Sequence, residues 1–227
     1  LQSTSGNNYS LFVYGQTGQS GELNVTSDRF ACYIIYGGDI TIAGGKVTTS
    51  GTMGIHAQYN NNGGNVTIKN ATVTATGTSY FGILSEYGGN ITIDNSNVTA
   101  TSTGSSGIYA GNGNITIDNS NVTATSTGSS GIYAENGNIT IASGTVTASG
   151  SSTQFGIYTV YGSVTINGGQ VTTTGSIGIY TVYGSVTING GQVMATGNIY
   201  GIYAQNSSDN ITLGWTNPTD YIYANKY

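Results

Sequence analysis

The sequence predicts an all-β chain folded as a right-handed parallel β-helix, with about 24 residues and three short strands per coil. The triplet ITI, VTI or ITL begins at Ile40, Val66, Ile91, Ile115, Ile139, Val164, Val186 and Ile211, spaced by 26, 25, 24, 24, 25, 22 and 25 residues. Asn90 to Gly113 recurs from Asn114 to Gly137 with one change in 24 positions, and Gly156 to Ile177 recurs from Gly178 to Ile199 with three changes in 22. Within each unit I-T-I, V-T-A-T and G-I-Y-A alternate with period two, and no stretch spaces its apolar residues as a helix would. Such units stack, each coil advancing about 4.8 Å. Left-handed coils of six-residue units are shorter and more regular at their corners, which selects the right-handed form.

The alternation assigns faces. Ile91 and Ile93 point inward and Thr92 outward; Val98, Ala100, Ile108 and Ala110 complete six inward side chains per coil. Each large aliphatic buried in this way contributes about 1.5 to 3 kcal/mol. The residue two before the inward Ile (Met53, Phe81, Phe155, Ile177, Tyr200) is expected inward as well. The glycine between them (Gly54, Gly82, Gly107, Gly131, Gly156, Gly178, Gly201) is then expected outward, held there by a bulge or an unusual backbone angle. Residues 1–39 form irregular or truncated first coils, because only 17 residues separate Leu23 from Ile40 and LNVTS belongs to a truncated coil or takes another strand role. Residues 40–210 form the regular coils. In 211–227 ITLGWTNPTDYIYA shortens the second strand and brings Trp215 and Pro218 toward the core. The start, LQSTSG, reads as a processed or excised end, and uncapped ends predict head-to-tail self-association through edge strands.

Composition narrows the partners. Thirteen of 227 residues are charged, 6% where a soluble domain carries roughly 25%, while glycine occurs 37 times and threonine 35 times. A net charge of -5 with four basic residues (Arg29, Lys46, Lys69, Lys226) offers no footprint for nucleic acid or an anionic membrane. No apolar run approaches the roughly 18 residues needed to cross a bilayer, so membrane insertion is not expected. Cys32 is the single cysteine, which excludes an intrachain disulfide or a Cys-based zinc site. Low charge with Gly, Thr, Asn, Ser and Tyr in excess predicts an extracellular or cell-surface, bacterial address.

The units NGGQVTTTGSIGIYTVYGSVTI and NITIDNSNVTATSTGSSGIYA, with ITLGWTNPTDYIYA after them, resemble the right-handed parallel β-helix repeat regions of large secreted or surface proteins of gut-type bacteria. The resemblance covers about Leu23 to Ala224. It implies an extracellular adhesive or carbohydrate-associated stalk and carries over no catalytic residue.

Parallel β-helices also scaffold polysaccharide lyases and hydrolases. Glycoside hydrolysis needs two carboxylates about 5 to 9.5 Å apart, and lyase chemistry needs a base with cationic or metal help. Asp94 and Asp118 match in adjacent coils, but Lys69 precedes them in the same column, which reads as a surface charge ladder. His56, the single histidine, replaces a repeated tyrosine and is expected on a solvated face. Arg29 stands isolated, so no catalytic site, metal site or cofactor is expected. Eleven Asn-x-Ser/Thr sequons, among them Asn65, Asn90, Asn114, Asn138 and Asn210, follow from Asn turns leading into Thr-bearing strands.

Two outward columns are candidate binding surfaces. Tyr109, Tyr133, Tyr158, Tyr180 and Tyr203 align, with His56 and Leu84 nearer the N-terminus and Tyr36, Tyr87, Tyr161 and Tyr183 at the corner beyond. Stacked rings gain about 0.5 to 1.5 kcal/mol per pair and also offer faces and hydroxyls to a glycan or polysaccharide. The second array is Thr74/Thr76, Thr99/Thr101, Thr123/Thr125, Thr147/Ser149 and Thr172/Thr174, broken at Met194. Flat Thr-x-Thr arrays resemble the ice-binding faces of β-solenoid antifreeze proteins.

Overall fold

The computed structural model describes residues 2–3, 11–14, 21–34, 38–58 and 63–225. Within them the chain is built from 27 short strands in three parallel sheets of nine, with no helix. One coil shows the plan: Ile91–Asp94 lies in the first sheet, Asn97–Ser102 in the second and Ile108–Ala110 in the third. These are named here the ITI, VTAT and GIYA sheets. Every strand between the sheet ends pairs with its counterparts one coil before and one after, so Ile91 aligns with Val66 and Ile115, and Val98 with Val73 and Val122. β-Branched residues suit such pleated, half-buried surfaces.

The six expected inward residues of this coil, Ile91, Ile93, Val98, Ala100, Ile108 and Ala110, are all fully buried. Like stacks on like, which gives one continuous apolar column along the axis. Where a hydroxyl replaces alanine in the VTAT column, at Thr49 and Thr173, its oxygen is buried without a hydrogen-bond partner.

Two corners depend on asparagine. Between the ITI and VTAT sheets the chain passes through the left-handed region, at Asn70 (φ 50), Asn95 (φ 46) and Asn119 (φ 43), whereas in later coils the left-handed residue is one position further on, at Gly144 (φ 98), Gly169 (φ 85) and Gly191 (φ 95), level with Ser120. Asparagine and glycine are the residues that enter it at low cost. Ahead of the ITI strands from Val66 to Ile139 a second asparagine links the coils: the backbone N–H of Asn90 donates to Asn65 Oδ1 at 2.9 Å, and Asn114 and Asn138 continue the ladder at 2.9 Å each. The sequons at Asn65, Asn90, Asn114 and Asn138 therefore mark a structural corner.

Three expectations are corrected. The glycine before the inward Ile is buried at every repeat, and its φ is not positive. A Cβ on Gly107 would stand 2.8 Å from Ala100 O and 2.9 Å from Gly131 O, because the GIYA strand begins flush against the VTAT strand. Glycine and isoleucine thus both face inward in succession, and this inverts the side of the residue before them. Phe81, Phe155 and Tyr200 accordingly stack on outward tyrosines, Met53 is half-exposed, and Ile177 is buried without joining the core.

LNVTS takes the other strand role: Glu22–Thr26 pairs with Lys46–Ser50 in the VTAT sheet. At the far end Tyr221–Ala224 also lies in the VTAT sheet, beside Gln192–Ala195, as a strand of four residues where Asn97–Ser102 has six. Trp215 and Pro218 belong to the turn before it, and Trp215 is largely exposed at the mouth of an apolar hollow with Ile202, Leu213 and Ile222.

Three outcomes follow. Gly107→Ala drives a Cβ into backbone and lowers stability by about 1 to 3 kcal/mol. Gly111→Ala meets its nearest atom at 3.6 Å and leaves the thermal melt unchanged. Thr173→Val keeps the shape and removes the orphaned hydroxyl, raising stability by about 1 kcal/mol in denaturant titration.

Candidate functional site

The tyrosine column occupies the outer side of the GIYA sheet, because each Tyr follows an inward Ile. Successive ring centroids lie 5.0 Å apart for Tyr109–Tyr133, 4.6 Å for Tyr133–Tyr158, 5.2 Å for Tyr158–Tyr180 and 5.7 Å for Tyr180–Tyr203. The last two pairs are within 8° of coplanar. A second row packs alongside: Phe81 on Tyr109, Phe155 on both Tyr158 and Tyr180, and Tyr200 on Tyr203. The ring faces are thus engaged by other rings, and edges and hydroxyls remain for a ligand. Sequence reasoning missed this second row; its signal is an aromatic residue directly before the repeated glycine.

Hydroxyl partners come from the following corner. Tyr109 donates to Glu135 Oε2 at 2.5 Å, Tyr33 to Gln58 Oε1 at 2.7 Å, and Tyr180 to Gln205. Burial, aided by the Glu135 carboxylate, pushes the Tyr109 and Tyr133 phenols up from their usual range, and burial does the same for Tyr158 and Tyr180. Tyr161 and Tyr183, 60% and 51% exposed, stack on each other at 5.1 Å and present the most open rings of this side. Tyr36 lies outside the described residues.

His56 corrects its expectation. It is 3% exposed, because it is sandwiched in the column between Tyr33, stacked at 4.6 Å, and the fully buried Leu84. Neither ring nitrogen makes a hydrogen bond, and Nε2 stands 3.5 Å from Glu86 Oε2. Cys32 is buried too, which pushes its thiol up to about 11.

The threonine array is in register. Thr74, Thr99, Thr123, Thr147 and Thr172 form one column of the VTAT sheet and Thr76, Thr101, Thr125, Ser149 and Thr174 the next, and Met194 ends the first. Most are half-exposed, and Thr101 donates to Thr76 at 3.3 Å. In the charge ladder Lys69 Nζ lies 3.8 Å from Asp94 Oδ2, and Asp118 accepts from Ser143 at 2.7 Å. Each carboxylate thus has a partner. Among the described residues no three His, Cys, Asp or Glu side chains gather as a metal site would require, and no helix is long and apolar enough to cross a membrane.

A family model described as a beta helix repeat matches residues 139–157 and 186–204, each spanning one coil from its ITI strand to its GIYA strand. The chain folds as parallel β-helix repeats. No curated protein and no solved structure matches it.

The tyrosines give this β-helix an alkaline limit. A phenol whose folded value is raised above its unfolded value contributes stability that is complete below the unfolded value, near 10.0, and is lost as pH rises beyond it. Circular dichroism against pH should show unfolding set in above that point, and Tyr109→Phe with Tyr133→Phe should move it upward.

Proposed function

We propose that this β-helix is a non-enzymatic rod on the outside of a bacterial cell, a stalk or adhesin that holds other groups at a distance. The supporting observation is that all three sheets keep one register from coil to coil. Nine strands per sheet at about 4.8 Å make a rigid element of about 40 Å, and its near-identical coils allow lengthening by duplication. Sparse charge suits a polar exterior environment in which the rod need attract no ionic partner. Glycan contact along the tyrosine strip would use hydroxyls and ring edges, so it is weak per residue and depends on several acting together.

A second reading, ice binding, is favoured by the in-register Thr-x-Thr columns. Freezing assays separate the two, since thermal hysteresis or shaped ice crystals would replace the rod by an ice-binding surface.

The rod reading has a direct test. Inserting one further copy of residues 114–137 should lengthen the particle by about 4.8 Å in small-angle scattering and leave its melting temperature unlowered. An unfolded product, or an unchanged length, defeats the rod. Release of reducing sugar or unsaturated uronate from a polysaccharide panel defeats the non-enzymatic part.

A further inference from the structure

We propose that the corner between the ITI and VTAT sheets is, in three consecutive coils, a binding groove for a neutral oligosaccharide lying along the rod axis. The groove has a volume of about 470 Å³ and is open to solvent. One wall is the column Asn70, Asn95 and Asn119; the other is Thr72, Asn97 and Asn121, and buried Ala71 and Ser96 form the floor between them.

The two walls differ in chemistry. In the first, Asn95 Nδ2 donates to Asn70 Oδ1 at 2.6 Å and Asn119 Nδ2 to Asn95 Oδ1 at 3.1 Å, which fixes the amides and leaves each a second N–H. In the second wall Thr72, Asn97 and Asn121 are exposed, and their side chains make no hydrogen bond to another described residue. The floor is spent: Ser96 Oγ donates to Asp94 O at 2.7 Å and accepts from the Ala71 N–H at 3.2 Å. A ligand therefore meets a fixed amide ladder on one side and free amides on the other.

This chemistry names the ligand class. Primary amides donate and accept together, as the vicinal hydroxyls of a sugar do. None of the lining residues is charged; the nearby Lys69–Asp94 pair neutralises itself, and Asp118 beside Asn119, partnered only by neutral Ser143, disfavours an anion. A pyranose repeat of about 5 Å nearly matches the coil rise of about 4.8 Å, which brings successive sugars to successive coils.

Conformation alone does not require these asparagines. Gly44, level with Asn70, enters the left-handed region there without a side chain, and later coils place the left-handed residue one position further on, at Gly144, Gly169 and Gly191, so the wall is missing in both. Beyond Asn119 the column continues as Ser143, Gly168 and Gly190, which closes the groove after three coils.

Calorimetric titration of the whole chain with cellohexaose, xylohexaose and mannohexaose, and with hexagalacturonate as the charged counterpart, tests the assignment. At least one neutral hexamer should bind, about tenfold more tightly than the uronate. Asn97→Thr with Asn121→Thr, which installs the residue standing at Thr72 and Thr145 of the same column, should lower that affinity by about tenfold with an unchanged melt. Asn95→Gly, which keeps the backbone conformation, should lower it independently. Tyr161→Ser with Tyr183→Ser should leave it intact. The groove is refuted by no neutral binding at about 5 mM, by affinity indifferent to the asparagine variants, or by loss in the tyrosine variant instead. The outcome leaves the rod reading untouched, since that rests on length and register.

Discussion

Each coil turns its backbone donors and acceptors along the rod axis, where only a second coil with strands at the same places can satisfy them. Register is therefore fixed at every level, and it propagates to the side chains. A residue that suits one coil must tolerate a near copy of itself about 4.8 Å away on both sides. The interior answers with stacked Ile, Val and Ala, and the GIYA strand meets the VTAT strand so closely that only glycine fits at Gly107 and its counterparts. The polar corners answer with ladders, asparagine oxygen to backbone N–H, each coil supplying what the next requires.

The same rule accounts for the composition. Two like charges at the coil spacing repel by about 1 kcal/mol even in water, and a column of them compounds the cost. Charges survive where they alternate or find a partner: Lys46 sits 2.7 Å from Glu22 one coil away, and Lys69 faces Asp94. Asp118 follows Asp94 directly, and there Ser143 supplies a donor. Tyrosine, threonine and asparagine stack on themselves with gain, which is why the outer columns are made of them.

The architecture was legible because its signal is periodic. Positions such as Ile91, Val98 and Ile108 repeat with the coil, and their burial follows from alternation alone. What escaped was local departure from alternation. Gly107 and Ile108 are both buried, so parity breaks at the glycine, and a reading that carried period two through it placed Phe81 and Phe155 inside. His56 escaped for another reason: its column partners Tyr33 and Leu84 are themselves buried, whereas Tyr109 and Tyr133 farther along are half-exposed. Burial there changes along a single column, and the sequence of one strand does not encode its neighbours' cover. The threonine faces were legible and the asparagine groove was not, because a groove forms between a corner column, Asn95 and its counterparts, and the first residues of the VTAT strands, Asn97 and its counterparts, which face each other only once the chain has turned.

That contrast locates where a stacked fold can acquire individuality. The sheets tolerate little change, since any substitution must agree with the coils above and below. The corners are freer: coil length varies between 22 and 26 residues while strand register holds, so the differences are absorbed in the turns. A turn also has conformational alternatives, as the ITI-to-VTAT corner shows by using Asn95 or Asn119 in some coils and Gly169 or Gly191 in others with the strands unmoved. Choosing asparagine costs the backbone slightly more than glycine does. The return is a side chain that repeats at the coil spacing, held by its neighbours and directed outward. Recognition on such a rod is therefore most readily built at corners, where a run of like coils makes a surface and a change of coil type ends it.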